Sequence, residues 1–422
     1  MTRDTASAWP DLAFMSRRSL LFVFVALAAL STAAKVVLSG LGHNIDLESW
    51  VLLGELVLDG KIVYAETERS NWGPLWSYLC AGTRYVQLTV LRTDTFEDFH
   101  RLMALLLSCI DVAIGALLFR YRSWAAAALF LLNPVSLLIT GFHSHFENVA
   151  IVFGFGACLL LDKKGASDAG RFGVAMVLLG LSLVSKHVLI FLPLWFFFRP
   201  HQSRAQRVFS LVPFAVFAVS FVPVLHDERA LEGVFEHVLH YDSVHLDGFF
   251  PYLMSAAIPL LVVEALFSRV PVFSGFQFLW FAAMMATGFS VRRKTYQEQL
   301  FIYLVAMVVF ASAIANQYLV IPLVTCAVYW RHFTVWWYVG VTTIYLLASP
   351  VNVGMLPAMA RYSELVIASG LDRWHSITAL FFFLALYWIG NRWGSALALP
   401  RWLFPEPADG PLAVNERART PR

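Results

Sequence analysis

Charge is scarce in this chain. Lys and Arg number 31 and Asp and Glu 28 among 422 residues, so 14% is charged and the formal net charge is +3. A soluble domain carries roughly a quarter of its residues charged, and a nucleic-acid surface needs clustered cations. Neither fits here, because the basic residues stand in small groups between apolar runs. The four cysteines, Cys80, Cys109, Cys158 and Cys326, show no CxxC spacing, which removes a zinc ribbon or a redox dithiol. Glycine-rich phosphate loops are missing, so no nucleotide site is expected. Strand-length alternation of polar and apolar residues is missing too, and with it the case for a β-barrel.

What is present is apolar length. Hydrophobic residues make up 59% of the chain and mean hydropathy is +0.66. Helices satisfy their own backbone groups in lipid, so the expected fold is an all-α, polytopic integral membrane protein. Arg3, Arg17 and Arg18 put the N-terminus inside, with 19–38 a retained first span rather than a cleaved signal segment. Arg120 and Arg122, then Lys163, Lys164 and Arg171, then Arg199, Arg204 and Arg207 mark later inside turns, followed by Arg292 to Lys294, Arg331, Arg392 and Arg401. Threading the apolar runs between these marks gives about 12 crossings over residues 1–400. It also gives a long first external loop at 41–100, short re-entrant helices, and a disordered inside tail at 401–422.

Parity refines the map. Residues 72–91 are expected along the outer surface, with Arg84 at the interface. Residues 124–162 form a hairpin turning at 141–148, and 299–330 a second hairpin with Asn316-Gln317-Tyr318 at its tip. The apolar run 172–198 must start and end inside, which asks for two short helices meeting at Ser185-Lys186-His187. An acid- and histidine-rich external loop covers 226–250, and 251–267 is expected to be surface-lying or re-entrant.

This map gathers the unusual polar residues on one side. Asp46 and Glu48, His143, His145 and Glu147, Lys186 and His187, and Asn316 and Gln317 all fall at external tips. Ionisable groups near membrane depth mark function more often than packing. Plainer readings stand beside that one. Asp46 and Glu48 suit the start of an amphipathic helix, the His143-x-His145-x-Glu147 spacing suits a metal, and Lys186 can snorkel. Trp50, Trp72 and Trp76 suit an interfacial belt as well as a sugar platform. Asp111, within a span, is expected to pair rather than react.

Several of these segments, in this order, resemble the GT-C integral-membrane glycosyltransferases that use polyprenyl-phosphate sugars. The nearest likeness is to the dolichyl-phosphate-glucose-dependent glucosyltransferases of N-glycan assembly and their bacterial relatives. The segments are Asp46-Leu47-Glu48-Ser49-Trp50, Asn71-Trp72-Gly73-Pro74, Asn133-Pro134 through His145-Phe146-Glu147-Asn148, Lys186-His187 with Pro193, and Asn316-Gln317-Tyr318-Leu319 with Pro322. Leu47 and His187 stand where the family has an aromatic residue and a glutamine. The resemblance implies inverting transfer of glucose or mannose from a polyprenyl-phosphate donor to a glycan or glycolipid acceptor. Asp46 would be the general base. Glu48, Lys186, His145, Glu147, Gln317 and Trp72 would line the substrate site, with no metal or cofactor. The partners expected are donor, acceptor and membrane lipids. With no Asn-x-Ser/Thr acceptor and no retrieval signal, the expected location is a bacterial inner membrane with the site on its outer side, rather than the endoplasmic reticulum. A transporter or flippase of a lipid-linked sugar is the alternative, since broken helices with polar residues at depth also serve transport.

Overall fold

A serine ahead of a long apolar run starts the first helix. Ser16 Oγ accepts the N–H of Ser19, and α1 runs over Arg17–Ser39. The computed structural model describes residues 16–163, 169–200, 202–239, 275–311, 314–348 and 372–408 (395 and 398 apart), with isolated positions between 361 and 370. Among the described residues every regular element is helical. After α1 come α2 (Asp46–Leu58), α3 (Val63–Glu66), α4 (Pro74–Val86), α5 (Phe96–Tyr121) and α6 (Trp124–Leu131). Then α7 (Pro134–Ser136) continues as a π turn over Leu137–Phe142, followed by α8 (Glu147–Leu161), α9 (Ala169–Ser185) and α10 (Leu192–Phe197). The later helices are α11 (Arg204–Phe209), α12 (Val212–Val219), α13 (Glu228–Gly233), α14 (Gly275–Val291) and α15 (Tyr296–Phe310). The last are α16 (Leu323–Val328), α17 (Phe333–Ala348) and α18 (Arg373–Trp393).

Among the described residues, three helices are long and apolar enough to cross a membrane: Arg18–Ser39, Phe96–Tyr121 and Arg204–Val224. The bent pair Trp124–Leu131 and Pro134–Phe142 makes a fourth. Its 42° bend has a local cause. Asn133 is held extended ahead of a proline and caps the next turn by accepting the N–H of Val135. Other apolar helices among the described residues are shorter, of 10–17 residues, such as Glu147–Leu161, Tyr296–Phe310 and Phe333–Ala348. The described helices thus give three or four clear spans and not the expected count of about 12. Phe22 on α1 stays 75% exposed and Val37 65%. Exposed apolar surface of that extent along one helix is suited to lipid and not to water.

The bundle has two polar ends, and α8 measures the distance between them. Glu147 begins it and Asp162 ends it, about 22 Å apart at 1.5 Å per residue. Asp162 accepts the N–H groups of Tyr296 (2.9 Å) and Gln297 (2.8 Å) at the start of α15, where a carboxylate favours the helix dipole. Around it Arg199 donates to the Lys294 carbonyl (2.5 Å), Lys294 pairs with Glu298 (3.3 Å), and Tyr387 donates to Glu298 (2.5 Å). Two of the expected inside marks, Arg199 and Lys294, therefore meet at this end beside Asp162, one residue before Lys163.

Other expectations are corrected here. Arg84 does not lie free at an interface. It is buried, donating to Gln87 (2.7 Å), Glu55 (2.8 Å) and Asp94 (2.5 Å), while Tyr78, Tyr85 and Val90 of the same segment point outward. The tail read as disordered from 401 instead begins with a 3-10 turn over Arg401–Leu403. The Leu403 carbonyl lies 3.1 Å from His332 Nε2, and Ala408 donates to Val328 (2.9 Å). Residues 240–274, including the surface-lying or re-entrant segment expected at 251–267, lie outside the described residues, as do 409–422.

Candidate functional site

At the other polar end, the starts of α2 and α8 meet at the turn of residues 143–146. The π turn before it closes by His143 N–H to Leu138 O (3.2 Å) and His145 N–H to Ile139 O (3.3 Å). Ser144 then takes a left-handed φ of 52°, and its carbonyl accepts Trp50 Nε1 (3.3 Å) from α2. Gly141 permits this fit, because a Cβ there would come within 2.8 Å of the Lys35 backbone. The turn thus presents His145 to Asp46, the first residue of α2.

Four ionisable groups follow one another through the site. Asp46 Oδ2 lies 3.1 Å from His145 Nε2, and His145 Nδ1 lies 4.0 Å from Glu147 Oε2. Glu147 Oε1 accepts Lys186 Nζ at 2.6 Å. The His145–Glu147 contact is beyond hydrogen-bond distance and the His145–Asp46 contact is of ion-pair range, so both ring nitrogens and Glu147 Oε2 are buried without a well-formed hydrogen bond. Lys186 stands in extended conformation between α9 and a 3-10 turn over His187–Leu189, the helix break expected there. Its ammonium lies 4.7 Å from the Phe146 ring centre, 5.4 Å from Tyr318 and 5.9 Å from Trp72. Such a cation over aromatic faces gains about 2 kcal/mol when desolvated.

The acids differ in access. Glu147 is fully buried, whereas the Asp46 side chain is 31% exposed. Burial pushes the Asp46 carboxyl up, but the adjacent His145, then Lys186 and His143, more than offset it and hold it below the ordinary 3.8. Asn44 Nδ2 completes the surroundings, 3.4 Å from Asp46 Oδ2 and 3.0 Å from His143 Nδ1.

Asp46, His145, Glu147, Lys186 and Trp72 are thus brought together. Glu48 is not: it is half-exposed, 3.9 Å from Arg69 on the surface. Gln317 is half-buried in the 3-10 turn over Asn316–Val320, and its neighbour Tyr318 is the residue that reaches Lys186. The belt reading of Trp50 and Trp76 is corrected. Both are buried, with Trp76 stacked on Phe146 at 3.8 Å and Trp50 edge-on to both rings. Arg84 is taken up by Glu55 and Asp94 and does not reach this group. Among the described residues no cluster of three or more His, Cys, Asp or Glu is arranged to hold a metal ion.

One feature behind the site was missed in the sequence. Lys35 of α1 donates to Asp111 of α5, both fully buried. Asp111 also accepts from Thr140 (2.9 Å), Ser136 (3.3 Å) and Asn148 (2.6 Å). Asp111 was expected to pair, and it does. The signal for its partner was available: Lys35 and Asp111 are opposite charges well inside two apolar runs.

No protein-family model, curated protein or solved structure matches this chain. Its class rests on its own features, an all-helical chain with apolar helices of membrane-crossing length.

Proposed function

We propose that the chain is a membrane-embedded hexosyltransferase of the GT-C type. It moves glucose or mannose from a polyprenyl-phosphate donor to a lipid-linked or cell-envelope glycan, with inversion, on the outer side of a bacterial inner membrane. The observation that carries this reading is the contrast in access: Asp46 is the partly exposed acid, while His145, Glu147 and Lys186 behind it are sealed. A base must meet the acceptor hydroxyl; charges that set its ionisation need not. Asp46 would take the hydroxyl proton as the oxygen attacks the anomeric carbon from the face opposite the phosphate. The C–O bond to phosphate breaks with its electron pair on the phosphate. The α8 start, which has no side-chain cap, offers positive potential for that leaving group, while Lys186 offsets the Glu147 charge beside it. A 22 Å α8 is shorter than a hydrocarbon layer of about 30 Å. A site at the end of so short a helix would be recessed within the layer, which supports a lipid-linked phosphate as the donor.

The buried Lys35–Asp111 pair favours a second reading, a flippase or transporter, because charges inside spans often line transport paths. One experiment separates the two. Membranes carrying wild type or Asp46→Asn receive radiolabelled polyprenyl-phosphate glucose or mannose with lipid and glycan acceptors. Transfer by wild type, reduced at least about 10²-fold in a folded Asp46→Asn, is expected. Equal product from both sinks the role of Asp46, and labelled lipid crossing the bilayer without product favours transport.

A further inference from the structure

The site contains more machinery than a single base requires. His145 is 2% exposed, and neither ring nitrogen has a hydrogen-bond partner, yet each faces a carboxylate: Nε2 faces Asp46 at 3.1 Å and Nδ1 faces Glu147 at 4.0 Å. The free oxygen of Glu147 on that side is also buried without a partner. Three buried polar atoms stranded side by side cost free energy unless they engage in some state of the protein. Apo sites commonly hold such contacts long and tighten them when loaded.

We propose that His145 is a positioning and proton-storing residue behind Asp46. Resting on the transferase reading, the sequence of bonds is as follows. The acceptor O–H breaks as Asp46 Oδ–H forms; that bond breaks in turn as His145 Nε2–H forms, leaving Asp46 ionised and His145 an imidazolium. In the loaded site Glu147 would close the 4.0 Å gap and accept Nδ1–H, which fixes the tautomer with Nε2 free to take a proton. Lys186 donates to the other Glu147 oxygen at 2.6 Å and holds that side chain in place. The proton leaves by the reverse path once product has gone, since Asp46 is the exposed end.

The charge count supports this arrangement. The ionisable groups facing the ring are Asp46 from α2, His143 from its own turn, whose ring centre is 5.8 Å away, and Glu147 from α8. Trp50 adds an edge-on ring at 6.0 Å and no charge. With Lys186 paired to Glu147, a neutral His145 leaves one net negative charge, on Asp46, and an imidazolium leaves none. The pocket is thus suited to accept one proton. Nothing comparable holds at His187, which has no carboxylate against its ring among the interactions described.

Two readouts test this, one of them independent of turnover. Protein labelled with ¹⁵N-histidine in nanodiscs is titrated by NMR, and the His145 signal is assigned by its loss in His145→Gln, or in His145→Asn should the first variant aggregate. The expected signal is an Nδ1–H tautomer whose titration midpoint falls in Asp46→Asn and whose tautomer becomes mixed in Glu147→Gln. A His145 signal indifferent to both substitutions overturns the proposal. In the transfer assay, His145→Gln should lower kcat about tenfold or more with KM for donor little changed, and shift the acid limb of the pH–rate profile upward. An unshifted limb with unchanged kcat overturns it as well. Absence of transfer by wild type defeats the transferase reading alone, because the NMR coupling is still decided.

Discussion

At the scale of single residues, Lys35 and Asp111 set a sharper stability test than any apolar position. Removing one member of a buried pair leaves an uncompensated charge, at a cost of about 3–5 kcal/mol. Lys35→Met should therefore lower thermal stability in detergent by that order. Lys35→Met with Asp111→Asn should recover part of the loss, because the amide still offers an oxygen to Thr140 and a charge no longer stands alone. A Lys35→Met protein within about 0.5 kcal/mol of wild type contradicts the pairing. Asp46 gives a pH test. Its folded pKa is below the unfolded value of 3.8, so its contribution to stability is present above that value and is lost as pH falls through the lower folded one. Between pH 5 and 3 the unfolding midpoint of wild type should fall more steeply than that of Asp46→Asn. Parallel curves would show that His145 and Lys186 do not bias the carboxyl. What the sequence made legible at this scale follows a pattern. Asp46, His145, Glu147 and Lys186 interrupt apolar runs at their ends and were read as a group. Lys35 was hidden inside a run that remained apolar around it. Glu48 and Gln317 were carried in by adjacency in sequence, which does not fix the face on which a side chain lies.

At the scale of elements, α4 shows why the outer layer was only half legible. The pattern of basic marks put residues 72–91 along the outer surface, and the helix itself starts with Pro74 in its first turn. The pattern did not say which face turns inward. Arg84 went inward because Glu55 from α2 and Asp94 from beyond the π turn were there to meet it, and long-range partners leave no local mark. Two glycines beside and within α4 should respond with opposite signs. A Cβ on Gly73 would sit 2.0 Å from the Val184 carbonyl at the end of α9, just before Lys186. Gly73→Ala must therefore separate α4 from the helix break that carries the ammonium, and it should lower both the yield of folded protein and any transfer. Gly82 has open space around its Cβ position, within the same helix. Gly82→Ala should stabilise by about 0.5–1 kcal/mol, the propensity difference alone. Thermal unfolding of the pair in one detergent checks this. Equal effects would mean that the Gly73–Val184 approach is not part of the fold.

At the scale of the molecule, the two polar ends of α8 carry the argument for orientation. The end with Asp162, Arg199 and Lys294 gathers basic residues that the positive-inside reading expects inside, and the end with Asp46, His145 and Lys186 gathers the residues of the proposed transfer. This polarity was legible beforehand, because short loops carry the basic residues. The count of about twelve crossings was less secure, because helices of 10–17 residues lie between a full span and a buried core helix. Orientation can be tested without settling the count. Cys80, Cys158 and Cys326 are buried and Cys109 is exposed on α5, so replacing Cys109 alone leaves a background of low reactivity. On that background Glu48→Cys and Arg293→Cys place thiols at exposed positions near the two ends. A membrane-impermeant maleimide added to sealed right-side-out vesicles should label Glu48→Cys at once and Arg293→Cys only after permeabilisation. Labelling of both from one side would put the two ends on the same face of the membrane. In that case α8 lies along the bilayer instead of through it, and the recessed site on which the transferase reading depends is lost with it.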